Sequence, residues 1–149
     1  MAATACPLCD GAGGEVVFVG AAFRVVRTDE GGFPAFYRLI WQRHVAELSD
    51  LAAAERHLCV DALVALEQAM RAHLHPTKIN IASLGNLVPH LHWHVIARFD
   101  WDSHFPAPVW AAAQRQPSTA DVARVVGARS LLEADIARRL SAVLRTGTA

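Results

Sequence analysis

Between Pro89 and Ile96 polar and apolar side chains alternate strictly, with His90, His92 and His94 in one set and Leu91, Trp93 and Val95 in the other. Alternation with period two predicts a strand with one face in a core. On that strand the three imidazoles share a face, roughly 6–7 Å apart between neighbours at about 3.3 Å rise per residue. One histidine on such a face is ordinarily a hydrogen-bonded core residue; three in register point to chemistry.

The rest of the pattern supplies the frame. Glu15 to Val19 and Phe23 to Arg27 are short β-prone runs around Gly20-Ala21-Ala22, which predicts a hairpin. Thr28 to Pro34 is a Gly/Pro-punctuated loop, and Phe36 to Trp41 is a third strand that delivers Gln42-Arg43-His44 at its end. Ser49 or Asp50 suits a helix N-cap. Beyond it Leu51, Ala54, Leu58, Ala62, Leu66, Ala69 and Leu74 recur at helical spacing, and Pro76 ends the helix near His75. Cys59 reads as a small buried apolar residue of this helix, with His57 and His73 on its solvated side. Lys78 to Leu84 is a fourth strand, and Gly85-Asn86 predicts a tight return into the triad strand, which runs on to Phe99 as an antiparallel neighbour. Residues 100–117 are irregular, either a packed surface loop or a rim over the neighbouring strand's site. Ser118 to Val126 predicts a short helix. Ser130-Leu131-Leu132-Glu133 resembles a capping box opening a second amphipathic helix through Leu132, Ile136, Leu140 and Val143.

Composition narrows the classes. The 149 residues fit one domain, 1–149, with 53% apolar and 19% charged residues and no formal net charge. That excludes a disordered chain and an extended nucleic-acid footprint, and leaves room for a pocket that takes a small anion. The N-terminus lacks the basic and apolar segments of a secretory signal, and no stretch is long enough to span a membrane, which places the protein in the cytoplasm. In that compartment the Cys6-Pro7-Leu8-Cys9 pair reads as half a zinc site or a redox pair. The loop Asp10-Gly11-Ala12-Gly13-Gly14 behind it, where a redox pair prefers a strand-to-helix context, favours metal.

His90-Leu91-His92-Trp93-His94-Val95-Ile96 matches all seven positions of the His-φ-His-φ-His-φ-φ motif, φ being apolar, of the histidine-triad (HIT) superfamily of nucleotide hydrolases and transferases. Lys78 to Asn86 resembles the strand and turn before that motif, and Arg43-His44-Val45 with Leu48 to Leu51 resembles the family's strand end and helix start. The resemblance runs from about Cys6 to Trp110. It implies an α+β fold, a five-stranded antiparallel sheet with two main helices, paired into a homodimer by sheet extension. It implies His92 as nucleophile toward the α-phosphorus of a nucleotide and His94 as the donor to phosphate oxygens and leaving group. Imidazole, with an ordinary pKa near 6.5, is substantially unprotonated at neutral pH, as a nucleophile must be. Gly85 and Asn86 resemble the phosphate-contacting turn, Asn80 the orienting asparagine, and Asp29 the ribose-binding acid. Where many relatives carry a hydroxyl two residues after the turn glycine, this chain has Leu87.

A zinc-binding bacterial branch, similar to diadenosine polyphosphate hydrolases, holds a structural zinc on four positions that are filled here by Cys6, Cys9, His44 and His90. Two further readings of the same residues stand beside the nucleotidyl enzyme. One is a catalytic zinc hydrolase on His90, His92 and a third ligand. The other is a non-catalytic nucleotide-binding module.

Overall fold

A computed structural model describes residues 5–146, so the outer ends of the 1–149 domain assignment lie outside the described residues. Along the chain run α1 (Pro7–Asp10), β1 (Glu15–Val19), β2 (Phe23–Thr28), β3 (Phe36–Trp41), a 3-10 turn (Leu48–Asp50), α2 (Ala53–Leu74), β4 (Lys78–Ala82), β5 (His92–Arg98) and α3 (Thr119–Thr146). The five strands form one sheet in the order β1-β2-β3-β5-β4, every neighbouring pair antiparallel. This is the expected α+β fold with two long helices.

Alternation along each strand divides the sheet into two faces. Phe23, Val25, Tyr37, Leu39, Trp41, Leu91, Val95 and Ala97 are buried in the main core, with Trp93 packed against it, together with the buried stripes of α2 and α3. Directly paired residues put their side chains on the same side. The opposite face is therefore built of cross-strand rows: Arg24, Ile40 and His92; Val26, Arg38, His94 and Ala82; Thr28, Phe36, Ile96 and Asn80. That second face carries the polar and titratable side chains.

Several boundaries differ from the sequence expectation. The tight Gly-Asn return is instead a nine-residue connector, 83–91, and β5 begins at His92 rather than at the first histidine. Pro89 has no amide hydrogen to give the ladder, and the His90 N–H bends back to Val88 O at 2.8 Å. Gly85 takes φ +72° in this connector, a left-handed conformation suited to glycine. Helix α2 starts at Ala53, later than Ser49 or Asp50 would place it. Those two residues fall in the 3-10 turn, where the Asp50 carboxylate accepts the Glu47 N–H at 2.9 Å, and Glu55 caps the helix proper through the Ala52 N–H at 2.8 Å. Leu58 packs against the core, whereas Ala54 in that first turn is exposed. The helix ends on His75 in a left-handed cap before Pro76.

The two expected C-terminal helices are one, α3, and Ser130 lies inside it. Ser118 supplies the real cap, its Oγ accepting the Asp121 N–H at 3.1 Å. Val125, Leu132, Ile136 and Leu140 form a single buried stripe that carries the helix past the exposed Gly127 and Ser130. Burial along that stripe outweighs the roughly 1 kcal/mol that a helical glycine costs. His73, expected in solvent, instead bridges α2 to α3 through Asp135 Oδ2 at 3.1 Å, while His57 is exposed and Cys59 is buried as expected.

Candidate metal centre and histidine site

Cys6 caps the single turn of α1 and Cys9 lies within it, and Leu8 of that turn packs on Val26 and Ile40 of the sheet. Buried Arg24 holds this knuckle from beneath. Its guanidinium donates to Ala12 O (2.9 Å), Leu8 O (2.6 Å), Gly11 O (3.0 Å) and Gln42 Oε1 (2.9 Å). His44 comes from the end of β3 and His90 from the connector before β5. Together these place Cys6 Sγ 3.4 Å and Cys9 Sγ 3.5 Å from His90 Nδ1, Cys9 Sγ 3.3 Å from His44 Nδ1, and the two Nδ1 atoms 3.2 Å apart.

All four ligand atoms lie within 4.8 Å of one another. Zinc at about 2.3 Å from sulfur and 2.0–2.1 Å from nitrogen needs tetrahedral edges of roughly 3.3–3.8 Å, and the four distances above, 3.2–3.5 Å, lie close to the short end of that range. The ring of His90 is also set for a metal: Nε2–H donates to Trp41 O at 2.7 Å, which leaves the Nδ1 lone pair facing the thiols. Burial, foremost, holds this imidazole below its ordinary pKa, in the neutral form that a metal requires. Cys2His2 is the donor set of a structural zinc. Both thiols of Cys-x-x-Cys therefore turn toward imidazoles in a metal-type cluster.

His92 is fixed by the same residue. Its Nδ1–H donates to the backbone carbonyl of His90 at 2.6 Å, which commits Nδ1 and leaves the Nε2 lone pair free. The ring of His94 lies 5.1 Å from that of His92, tilted at 77°, and packs edge-on against Phe36 at 5.5 Å. Burial, with smaller contributions from His92 and Arg38, brings the His94 pKa down to about 4, so it is neutral at physiological pH. Its Nδ1 is buried without a partner. The pair thus sets a free His92 Nε2 beside a neutral imidazole.

A cavity of about 730 Å³ opens at His94. Asn80 lines it, with Phe36 and Ile96 from the sheet and Val109 and Trp110 from the irregular segment, so residues 100–117 do form a rim. His92, Gly85, Asn86 and Asp29 are not among its lining residues. Asn86 is exposed on the connector, and Leu87 beside it is 97% exposed. Asp29 also faces solvent, 3.7 Å from Arg27. Its neighbour Glu30 is the acid of this loop that lines the cavity, and it pairs with Arg38, which lies behind the lining in the row of His94.

Sequence reasoning missed three contributors. Arg38 sits in the row of His94. Arg98, at the end of β5, donates through Nη1 to Asn80 Oδ1 at 2.9 Å, which turns the amide NH2 of Asn80 away from the guanidinium. Asp102 receives Arg98 on both carboxylate oxygens, at 2.8 and 3.1 Å, and Arg98 Nη2 also reaches Ala107 O just before the rim residues. A lone arginine within an otherwise apolar strand run was the available signal for both arginines.

The HIT domain family model matches residues 14–101, more than half of the chain. Among solved structures, the chain is similar to a histidine triad protein from Bradyrhizobium japonicum, with 27% identity over 82% of this chain and 91% of that one and a TM-score of 0.65. It is also similar in fold to a histidine triad protein from Marinobacter aquaeolei VT8, at 22% identity over 89% and 92% with a TM-score of 0.68. A third similar fold is a zinc-bound histidine triad family protein from Mycobacterium smegmatis, at 17% identity over 87% and 96% with a TM-score of 0.59. No curated protein matches the chain. A histidine triad with His94 at a cavity, His92 beside it and His90 in a Cys2His2 cluster is thus carried by a chain that belongs to the HIT domain family.

Proposed function

We propose that this protein is a nucleotide hydrolase or transferase that works at the α-phosphorus of a dinucleoside polyphosphate or related nucleotide through a covalent nucleotidyl-His92. The observation that carries the reading is the bond from His92 Nδ1 to the His90 carbonyl, which frees Nε2 beside the neutral His94. The Nε2 lone pair forms the N–P bond while the bond from phosphorus to the leaving group breaks, and the leaving group departs with the electron pair. His92 becomes an imidazolium, and its Nδ1–H bond to the carbonyl strengthens as that charge develops. His94 donates a hydrogen bond to the phosphate oxygens and the departing atom; at its pKa it acts as a neutral donor. Water then attacks phosphorus and loses a proton to solvent, the N–P bond breaks with its electron pair returning to Nε2, and His92 is again a neutral imidazole. Asn80 orients the nucleotide, and Gly85 and Asn86 contact the phosphates with backbone and side-chain donors. The catalytic zinc reading is the weaker one, because the four donors around His90 form a closed set with no open position.

The active form proposed is a cytoplasmic homodimer. In support, β4 is a sheet edge, and Ile81 on it and Val60 and Val64 on α2 are exposed apolar residues. Ile81→Glu should leave a monomer in light scattering if two copies pair there.

The deciding experiment is incubation with a diadenosine polyphosphate, an alkaline quench to protect the acid-labile N–P bond, and intact-mass analysis. A transient nucleotide adduct that disappears in His92→Asn is expected. Turnover by the wild type without a trappable adduct rules out the covalent route. Binding without turnover, unchanged in His92→Ala, identifies a nucleotide-binding module instead.

A further inference from the structure

We propose that Arg38 is a phosphate ligand of the nucleotide site, the guanidinium that neutralises substrate charge between β3 and the histidine strand. The inference rests on the nucleotidyl reading above and adds a residue to it.

Phosphoryl chemistry at His92 places anionic oxygens beside His94, and a neutral imidazole cannot balance that charge. A fixed cation must come from elsewhere on the same face. Four cations stand on or beside it. Arg24 is spent on three carbonyls of the metal knuckle and on Gln42. Arg98 is spent on Asp102, Asn80 and Ala107. Lys78 lines the cavity, but at the outer end of β4, opposite Arg98 and two rows from His94, and the chemistry does not take place there.

Arg38 remains, and its position suits the task. It stands directly opposite His94 in the ladder and in the row next to that of His92. Directly paired side chains begin about 5 Å apart, so the two share one patch of surface. The effect of Arg38 on His94 titration is a second sign of that proximity. Its side chain is only 20% exposed, its Nη2 meets Glu30, and its Nε–H is buried with no acceptor. A guanidinium that is largely desolvated and incompletely bonded is primed for an anion, since the desolvation cost is already met in the fold. Glu30 lines the cavity and keeps the guanidinium oriented until phosphate oxygens compete for it.

The test compares AMP with adenosine by titration calorimetry on the zinc-loaded full chain. The wild type should favour AMP. Arg38→Met should weaken AMP about tenfold to a hundredfold, the range of one charge-assisted bond, and leave adenosine unchanged; Arg38→Lys should fall between. Glu30→Gln separates an anion ligand from a merely structural ion pair: it should hold or tighten AMP, because a competing carboxylate is gone. Zinc content equal to that of the wild type reports an intact fold. If Arg38→Met keeps the wild-type preference for AMP over adenosine, or if Glu30→Gln weakens AMP as much as Arg38→Met, the assignment is overturned while nucleotidyl-His92 can still be trapped. If the wild type binds neither ligand and forms no adduct, both readings fall.

Discussion

Asp102→Ala removes the carboxylate around which the irregular segment is wound. Asp102 and Arg98 are each 2% exposed in their side chains, and they meet through two charged hydrogen bonds. The same carboxylate also accepts the backbone N–H of Phe99, His104 and Phe105 at 3.1, 2.9 and 2.7 Å. Deleting it strands a buried guanidinium and three backbone donors at once. Breaking a buried pair from one side costs about 3–5 kcal/mol. For a chain of this size that lowers Tm by roughly 6–20 °C, at about 2–4 °C per kcal/mol. Arg98→Met leaves a carboxylate that still holds its three amide hydrogens, so it should cost less. The order of the two variants is therefore predicted along with their size. Urea denaturation followed by tryptophan fluorescence suits the question, because Trp101 stacks on Phe99 within the same turn at 4.5 Å. The double variant closes a cycle in which the coupling should exceed about 1 kcal/mol. Additivity within about 0.5 kcal/mol, or an Asp102→Ala variant no worse than Arg98→Met, would refute the reasoning. The pH dependence points the same way. Burial raises the Asp102 pKa, but Arg98 and the backbone donors pull it below the ordinary value overall. Its stabilisation is thus present above the usual carboxyl range and lost as pH falls through the depressed value.

Other outcomes follow from the same geometry. Metal analysis should find one zinc per chain, and Cys9→Ser should lose it together with several degrees of Tm, because the knuckle is then held by Arg24 and Leu8 alone. The ring resonances of His94 should stay those of a neutral imidazole until pH nears 4. Between about 6.5 and 4 the unfolded chain holds more protons at this residue than the folded one, so its contribution to stability falls as pH falls across that window. A ring titrating near 6.5 in the folded protein contradicts that burial. Gly127→Ala on the open side of α3, where an added Cβ meets nothing within 4 Å, should stabilise by about 0.5–1 kcal/mol in thermal unfolding.

What could be read in the sequence was whatever alternation or spacing encodes. Leu91, Trp93 and Val95 announce a core face by period two, and they occupy it. Cys6, Cys9, His44 and His90 carry unambiguous donor chemistry, and they converge. Long-range polar pairing was not legible. Nothing near Arg98 in sequence says that its guanidinium will orient Asn80, since that partner comes from the neighbouring strand. Asp29 and Glu30 are adjacent acids of one loop, and only the folded path turns Glu30 to the cavity and Asp29 to solvent. The fused C-terminal helix was hidden for a different reason. The local capping-box pattern at Ser130 argued for a new helix start, whereas a buried stripe packed on distant elements overrode it.

His90 has a consequence of its own. Its ring presents Nδ1 to the metal cluster while its backbone carbonyl holds His92, so both tasks depend on the torsions of one residue. Coupling free energies are reciprocal. Whatever ordering the metal lends to His92, the state of His92 lends back to the metal. In the proposed mechanism nucleotidylation makes His92 cationic and tightens its grip on that carbonyl, so a covalent intermediate of that kind should retain zinc longer than the resting protein. Metal release under a weak chelator then becomes a clock that reads the catalytic cycle from a site where no bond is made or broken.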